Sequence, residues 1–209
     1  MINLLQYQMR TIKSILLAVI FTILSLQVNA QRNYALERAT FEVSGTSNIH
    51  DWVMKSTEGS GTANVTVIDS KLASINNLTI TVAAESLKSS KTSMDNVAYE
   101  TLDTKTYKNI KYVLKSAKKI NETTWNLTGV YTIAGTSKEY KTQVNITGSN
   151  GKFILMGSNQ LTFADFGMST PTAALGVVRA GKDVTLIFNV TLGDTESDSI
   201  RSNKQLTKA

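Results

Sequence analysis

The sequence predicts an all-β protein: an antiparallel barrel or sandwich of about eight strands, with one helical insertion near residues 93–107. Three observations carry this reading. Apolar and polar residues alternate with a period of two over much of the chain beyond residue 60. Turn-forming clusters interrupt that alternation at short intervals, as in all-β domains. A single stretch near the middle switches to helical spacing.

The leading residues are set apart from the fold. Arg10 and Lys13 flank the start of an apolar run, "SILLAVIFTILSL" (14–26), and "VNA" (28–30) supplies the small residues read by signal peptidase. Residues 1–30 are therefore expected to be a signal peptide cleaved after Ala30, with the mature protein periplasmic or secreted. The run is short for a membrane span and a polar sequence follows it. The chain has no cysteine, so an exported domain here is held by an ordinary core and not by disulfides. Thiol catalysis and cysteine-based metal sites are excluded with it. The formal charge of +6 falls to about +4 without Arg10 and Lys13. That excess is spread over "KSSK", "KNIK", "KSAKK" and "NKQLTK", a solvated surface with no nucleic-acid stripe.

The strands follow in order. Ala63, Val65 and Val67 alternate with Asn64 and Thr66; Leu78, Ile80 and Val82 alternate with Asn77, Thr79 and Thr81. Trp125, Leu127, Gly129, Tyr131 and Ile133 form another apolar face, and Tyr140, Val144 and Ile146 a further one. The clearest is the last: Val184, Leu186, Phe188, Val190 and Leu192, against Asp183, Thr185, Asn189 and Thr191. One buried face and one wet face mark antiparallel sheet. "EGSG" (58–61), "AGTSK" (134–138), "GSNG" (148–151) and "RAGKD" (179–183) read as turns. Six Asn-x-Thr triplets fall mostly on the wet faces and read as strand surface. Residues 31–192 thus form one domain, and 193–209, without period or apolar content, a polar tail expected to be disordered.

Within "KTSMDNVAYETLDTKTYKNIKY" (91–112), Met94, Val97, Ala98 and Leu102 recur at helical spacing. Thr92 or Ser93 is placed to cap the start, and Asp95 suits the first turn. A second short turn carries Tyr107, ahead of a strand at Ile110–Ser116. A narrow apolar stripe between two strands must cover an opening, so Met94 and Leu102 are expected to meet Phe163 or Phe166 inside the fold.

"TSNIHDWVM" (46–54) holds the only histidine of the chain, His50. A catalytic histidine needs a nucleophile or second acid in reach, and a metal needs several clustered ligands. Asp51, Glu58, Asp69, Glu85, Asp95, Asp103 and Asp165 are scattered along the chain, so no catalytic residue and no metal ligand is assigned. His50 and Trp52 are expected at one corner of a pocket, as plug or lining.

In order and in motif, the chain resembles the YceI-like family of exported, lipocalin-like proteins that bind polyisoprenoids and other long lipids. The resemblance covers residues 34–192. It rests on "SNIHDW", "AAESLKSSKTSMDN", "YETLDTKTYKNIKY", the hairpin "LTGVYTIAGTSKEY", and "FADFGM" before a long last strand. The chain departs from the family pattern at Asn109, where proline is frequent, at Val130–Ile133 in the hairpin, and at Ala164, a usual basic position. The resemblance implies a lipocalin-like barrel that binds a long-chain lipid or isoprenoid, with no catalysis and no cofactor. A closed barrel of about eight strands has room for one small ligand. Candidates to line its cavity, with His50, are Phe41, Val43, Trp52, Ile80, Met94, Val97, Leu102, Phe153, Leu155, Leu161, Phe163, Phe166 and Phe188. Transient membrane contact and a homodimer stay open. A non-catalytic adhesion or structural β-domain is the alternative function. An outer-membrane barrel fits less well, since a helix interrupts the strands and a polar tail follows them.

Overall fold

The structure, a computed structural model, describes residues 30–195. The expected signal peptide, apart from Ala30, and the tail beyond residue 195 lie outside the described residues. Ten strands form one sheet: β1 (Ala30–Ser47), β2 (Trp52–Ser56), β3 (Ser60–Ile68), β4 (Lys71–Ala83), β5 (Asn109–Lys119), β6 (Thr124–Ile133), β7 (Thr136–Ser149), β8 (Lys152–Thr162), β9 (Thr172–Ala173) and β10 (Val178–Asp194). An α-helix, α1 (Thr92–Thr101), stands between β4 and β5.

Eight of these strands close on themselves. Neighbours run β1-β3-β4-β5-β6-β7-β8-β10, and β10 returns to pair with β1 from Tyr34↔Asp194 to Ser47↔Ala180. Closure satisfies the backbone groups that an open sheet would leave on its edges. β10 takes one edge of β1, so β2 and β3 share the other, with β2 paired at Phe41–Gly45. Beyond β2 the wall is thin: a single bridge joins Lys55 to Lys88.

Turn chemistry sets the register. Ala134–Gly135 and Asn150–Gly151 each place two residues at positive φ between paired strands, the backbone of a type I′ hairpin whose twist matches that of the strands. The expected turn at "RAGKD" is instead part of β10. There the pairing slips between Gly45↔Val184 and Ser47↔Ala180, so the glycine serves a bulge. Gly181 lies tight against Thr46, a contact that a side chain would block. β10 also runs two residues past Leu192. Its last residue, Asp194, is buried and ion-paired with Arg32 at 3.0 Å, which offsets the cost of burying a carboxylate.

The alternation resolves into two apolar clusters along the barrel axis. Tyr34, Leu72, Ile75, Trp125, Phe153, Val190 and Leu192 belong to the cluster that fills one end. Tyr34 and Phe153 pack there with ring centroids 5.3 Å apart. Full burial of each such aliphatic or aromatic side chain stabilises the fold by roughly 1.5–3 kcal/mol. Toward the other end, Tyr131, Ile133, Leu161, Phe166 and Val184 form a smaller cluster. That end carries the β1–β2 loop, α1 and the residues between β8 and β10.

α1 starts differently from the expectation. Its N-cap is Lys91, with no side-chain cap, because Thr92 and Ser93 already lie within the helix. The work falls to Asp95, whose carboxylate accepts from the Ser89 backbone N–H and hydroxyl, both at 2.7 Å. Tyr99 donates to the carbonyls of Glu85 and Leu87 at 2.9 and 3.0 Å. The helix is thereby tied to the segment that precedes it. Leu102 is its C-cap, and turns occupy 102–106 in place of a helix to 107.

Candidate functional site

The open end leads into an apolar cavity of about 560 Å³, bounded by α1, the β1–β2 loop and the residues from Phe163 to Ala180. A smaller chamber of about 80 Å³ lies toward the barrel middle. Val43, Leu87 and Ile110 wall both. The larger volume falls in the ordinary range of small-molecule sites, about 300–1,000 Å³.

Of the sequence-predicted residues, all but Phe153 line one or both chambers. Phe41, Val43, Ile80, Leu155 and Phe188 line the smaller one. Val43, His50, Trp52, Met94, Val97, Leu102, Leu161, Phe163 and Phe166 line the larger. Phe153 lines neither. It faces inward as the period requires, but at the filled end, against Tyr34. Met94, Leu102, Phe163 and Phe166 do meet around one cavity, so α1 forms its lid and the "FADF" turn its opposing wall.

Two glycines make room for the aromatic lining. Gly45 pairs with Trp52 across β1 and β2, and the indole lies over it where a Cβ would collide. The indole N–H donates to the Thr46 carbonyl at 2.9 Å. Gly157 pairs with Phe188, and a Cβ there would sit 2.6 Å from the phenyl Cζ.

The "DFGM" segment is a lock on the lining. Phe163 precedes a single 3-10 turn, Ala164–Phe166, which Gly167 ends at φ 68°. The Asp165 carboxylate accepts from the hydroxyls of Tyr140 at 2.7 Å and Thr162 at 2.9 Å. Lys138 lies 3.1 Å from its other oxygen. Those three donors, Tyr140 foremost, hold the carboxyl down at about 2. Burial and then the Asp165 bond push the Tyr140 phenol up. With the turn so fixed, Phe166 stacks on Tyr140 at 6.2 Å and Phe163 faces the cavity.

One polar corner was missed by sequence reasoning. Tyr112, Tyr131 and Thr142 line the smaller chamber. Asn159, buried beside them, donates its amide to Tyr131 at 3.0 Å and to Thr142 at 2.6 Å. Burial raises the phenols of Tyr112 and Tyr131. The signal was present: Asn159 occupies an inward register position between Gly157 and Leu161, where the pattern calls for an apolar residue. The residues from Met168 to Ala180 that complete the larger cavity carry no period that would have placed them.

His50 sits at the mouth, exposed, its Nδ1 2.8 Å from the Asp51 carbonyl. Ser47 fixes the loop, donating to the His50 carbonyl at 2.6 Å and accepting its backbone N–H at 3.1 Å. The described residues contain no cluster of three histidine, aspartate or glutamate side chains able to hold a metal. The site offers shape and mostly apolar surface, with hydroxyls from Ser47, Ser93, Thr101, Thr162 and Thr172 in the larger cavity and from Tyr112, Tyr131 and Thr142 in the smaller.

Comparison with known proteins agrees with this architecture. The family described as YceI-like domain matches residues 31–192. Among solved structures, Burkholderia cenocepacia BcnA is similar with a TM-score of 0.60 and 17% identity, over 74% of this chain and 96% of that one. A polyisoprenoid-binding domain from Saccharophagus degradans, described as implicated in plant cell wall breakdown, gives 0.58 and 11%, over 77% and 98%. The Campylobacter jejuni YceI protein gives 0.52 and 21%, over 64% and 82%. At these identities the likeness shows the fold. No curated protein sequence matches.

Proposed function

The chain belongs to the YceI-like family, and on that premise we propose that it is an exported binding protein holding a long-chain lipid or polyisoprenoid in its barrel. The observation that carries this reading is the apolar cavity of about 560 Å³ beneath α1, continued by the smaller chamber that shares three of its walls. A chain threaded through both would be held mainly by burial of its carbons, at roughly 0.8 kcal/mol per methylene. The similar domain from Saccharophagus degradans is described as polyisoprenoid-binding, which supports the same class of ligand here. Export rests on the leader sequence.

The lining favours binding over turnover. Its histidine is exposed at the mouth, the side chains of Tyr131 and Thr142 are held by Asn159, and the hydroxyls of Tyr140 and Thr162 by Asp165. No cofactor is invoked. Solvent extraction of the protein purified without detergent tests the proposal. About one long-chain lipid per barrel supports it. Protein that carries none, and takes none up from mixed micelles, returns the chain to the adhesion or structural reading.

A further inference from the structure

We infer that the mouth of the cavity docks on a lipid bilayer through two apolar lips, with Leu175, Val177 and Ile49 as its insertion points. The inference rests on the lipid-binding reading and adds the surface by which ligand would pass.

Among the described residues, the three most exposed large apolar side chains are Leu175 at 106%, Val177 at 67% and Ile49 at 59%; elsewhere the highest is Ile120 at 48%. All three stand beside one opening. Ile49 adjoins His50 on the β1–β2 loop, and Leu175 and Val177 lie on the β9–β10 turn, between cavity-lining Ala174 and Val178. Asn48 sews the two lips together. Its amide donates to the Val177 carbonyl at 2.9 Å, and its oxygen accepts the Arg179 N–H at 2.7 Å.

The turn holds this exposure against its own preference. Ala174, Leu175 and Gly176 all have positive φ, at 48°, 56° and 85°, a conformation disfavoured for residues with a β-carbon. Backbone bonds from Gly176 to Ala173 and from Val177 to Ala174 keep it, and the Arg179 side chain donates to the Gly176 carbonyl at 3.1 Å. Leu175 is thus presented outward by a rigid, strained loop.

The size and charge of the patch point to a bilayer and not to a protein. Three side-chain tips fall far short of the roughly 800 Å² per partner that a stable protein interface buries. A bilayer accepts separate apolar tips, each reaching the acyl boundary. Lys91, Arg179 and Lys182 are exposed beside the two lips, with Asp51 and Asp183 among them, so cations suited to anionic headgroups flank the apolar tips. The apolar lips are also continuous with the apolar cavity, so a water-insoluble chain could cross without meeting water.

The test uses vesicle flotation with phosphatidylcholine alone and with added phosphatidylglycerol, comparing wild type with the triple variant Ile49→Ser, Leu175→Ser, Val177→Ser. Ile187→Ser, exposed on the barrel side, is the control. A long prenol probe delivered from detergent measures the cavity separately. Wild type and control should float with vesicles, more so with phosphatidylglycerol, and the triple variant should bind them at least about tenfold more weakly. Its uptake of the prenol from detergent should be unchanged. Wild type that binds the prenol but ignores vesicles overturns the docking inference and leaves the binding function standing. A concentration-dependent dimer, lost in the triple variant and without vesicle binding, overturns it in favour of a second copy. Failure to bind the prenol at all counts against the binding function itself.

Discussion

Trp52 lies directly over Gly45, close enough that a β-carbon on residue 45 would sit 2.8 Å from the indole Cε2. Gly45→Ala should therefore move the indole out of its place and break its 2.9 Å bond to the Thr46 carbonyl. Overpacking of this kind costs about 1–3 kcal/mol, and the freedom of the side chain to turn puts this case at the low end. Equilibrium unfolding reads the cost. A shift of tryptophan emission with Trp125 unaffected, seen most clearly in a Trp125→Phe background, reads the displacement.

Leu102 caps α1 and faces the larger cavity with Met94 and Phe163. Leu102→Asp puts an unpaired carboxylate there and should destabilise the fold by a few kcal/mol while weakening lipid retention strongly. Leu102→Met keeps volume and should cost under about 1.5 kcal/mol. If the aspartate variant unfolds like wild type and keeps its lipid, the stripe does not cover the cavity.

The hydroxyls of the smaller chamber separate by their bonding. Asn159 holds two of them, so Asn159→Ala should cost about 1–3 kcal/mol through the partners it abandons. Tyr112 makes an aromatic contact with Tyr131, at 4.9 Å between centroids, and no hydrogen bond to another described residue. Tyr112→Phe should then change stability by no more than about 0.5 kcal/mol. Denaturant midpoints of the two variants check the contrast.

Acid should release the lock on the cavity wall. An unfolded aspartate titrates near 3.8, while Asp165 is held at about 2. The unfolded chain therefore takes up the proton first as pH falls. The contribution of ionised Asp165 is complete above the unfolded value and is lost as pH drops through the folded one. Melting temperatures measured from about pH 5 to pH 2 should fall more steeply for wild type than for Asp165→Asn. Equal slopes would show that the Tyr140–Asp165 bond does not couple to folding.

Much of this was legible in the sequence, because period two and closure physics point the same way. Val184, Leu186, Phe188, Val190 and Leu192 face inward, and the helical stripe falls where a thin wall needs a cover. What period two cannot give is depth along the barrel. Phe153 and Leu155 are equivalent in pattern, yet Phe153 packs at the filled end and Leu155 at a chamber. Nor can it place irregular backbone: the lip from Ala173 to Val178 owes its shape to three left-handed residues and to Asn48, a partner far away in sequence. The glycine in "RAGKD" misled for a related reason. A glycine that permits a turn also permits a bulge, and only the slipped pairing with β1 distinguishes them.

Whether the barrel carries a long-chain lipid is read by native mass spectrometry of protein isolated from its own host without detergent. The expected spectrum shows a protein ion heavier than the bare chain by one long-chain lipid, released at higher collision energy, and largely absent from Leu102→Asp. Wild type at the bare-chain mass, still bare after incubation with lipid micelles, would contradict it.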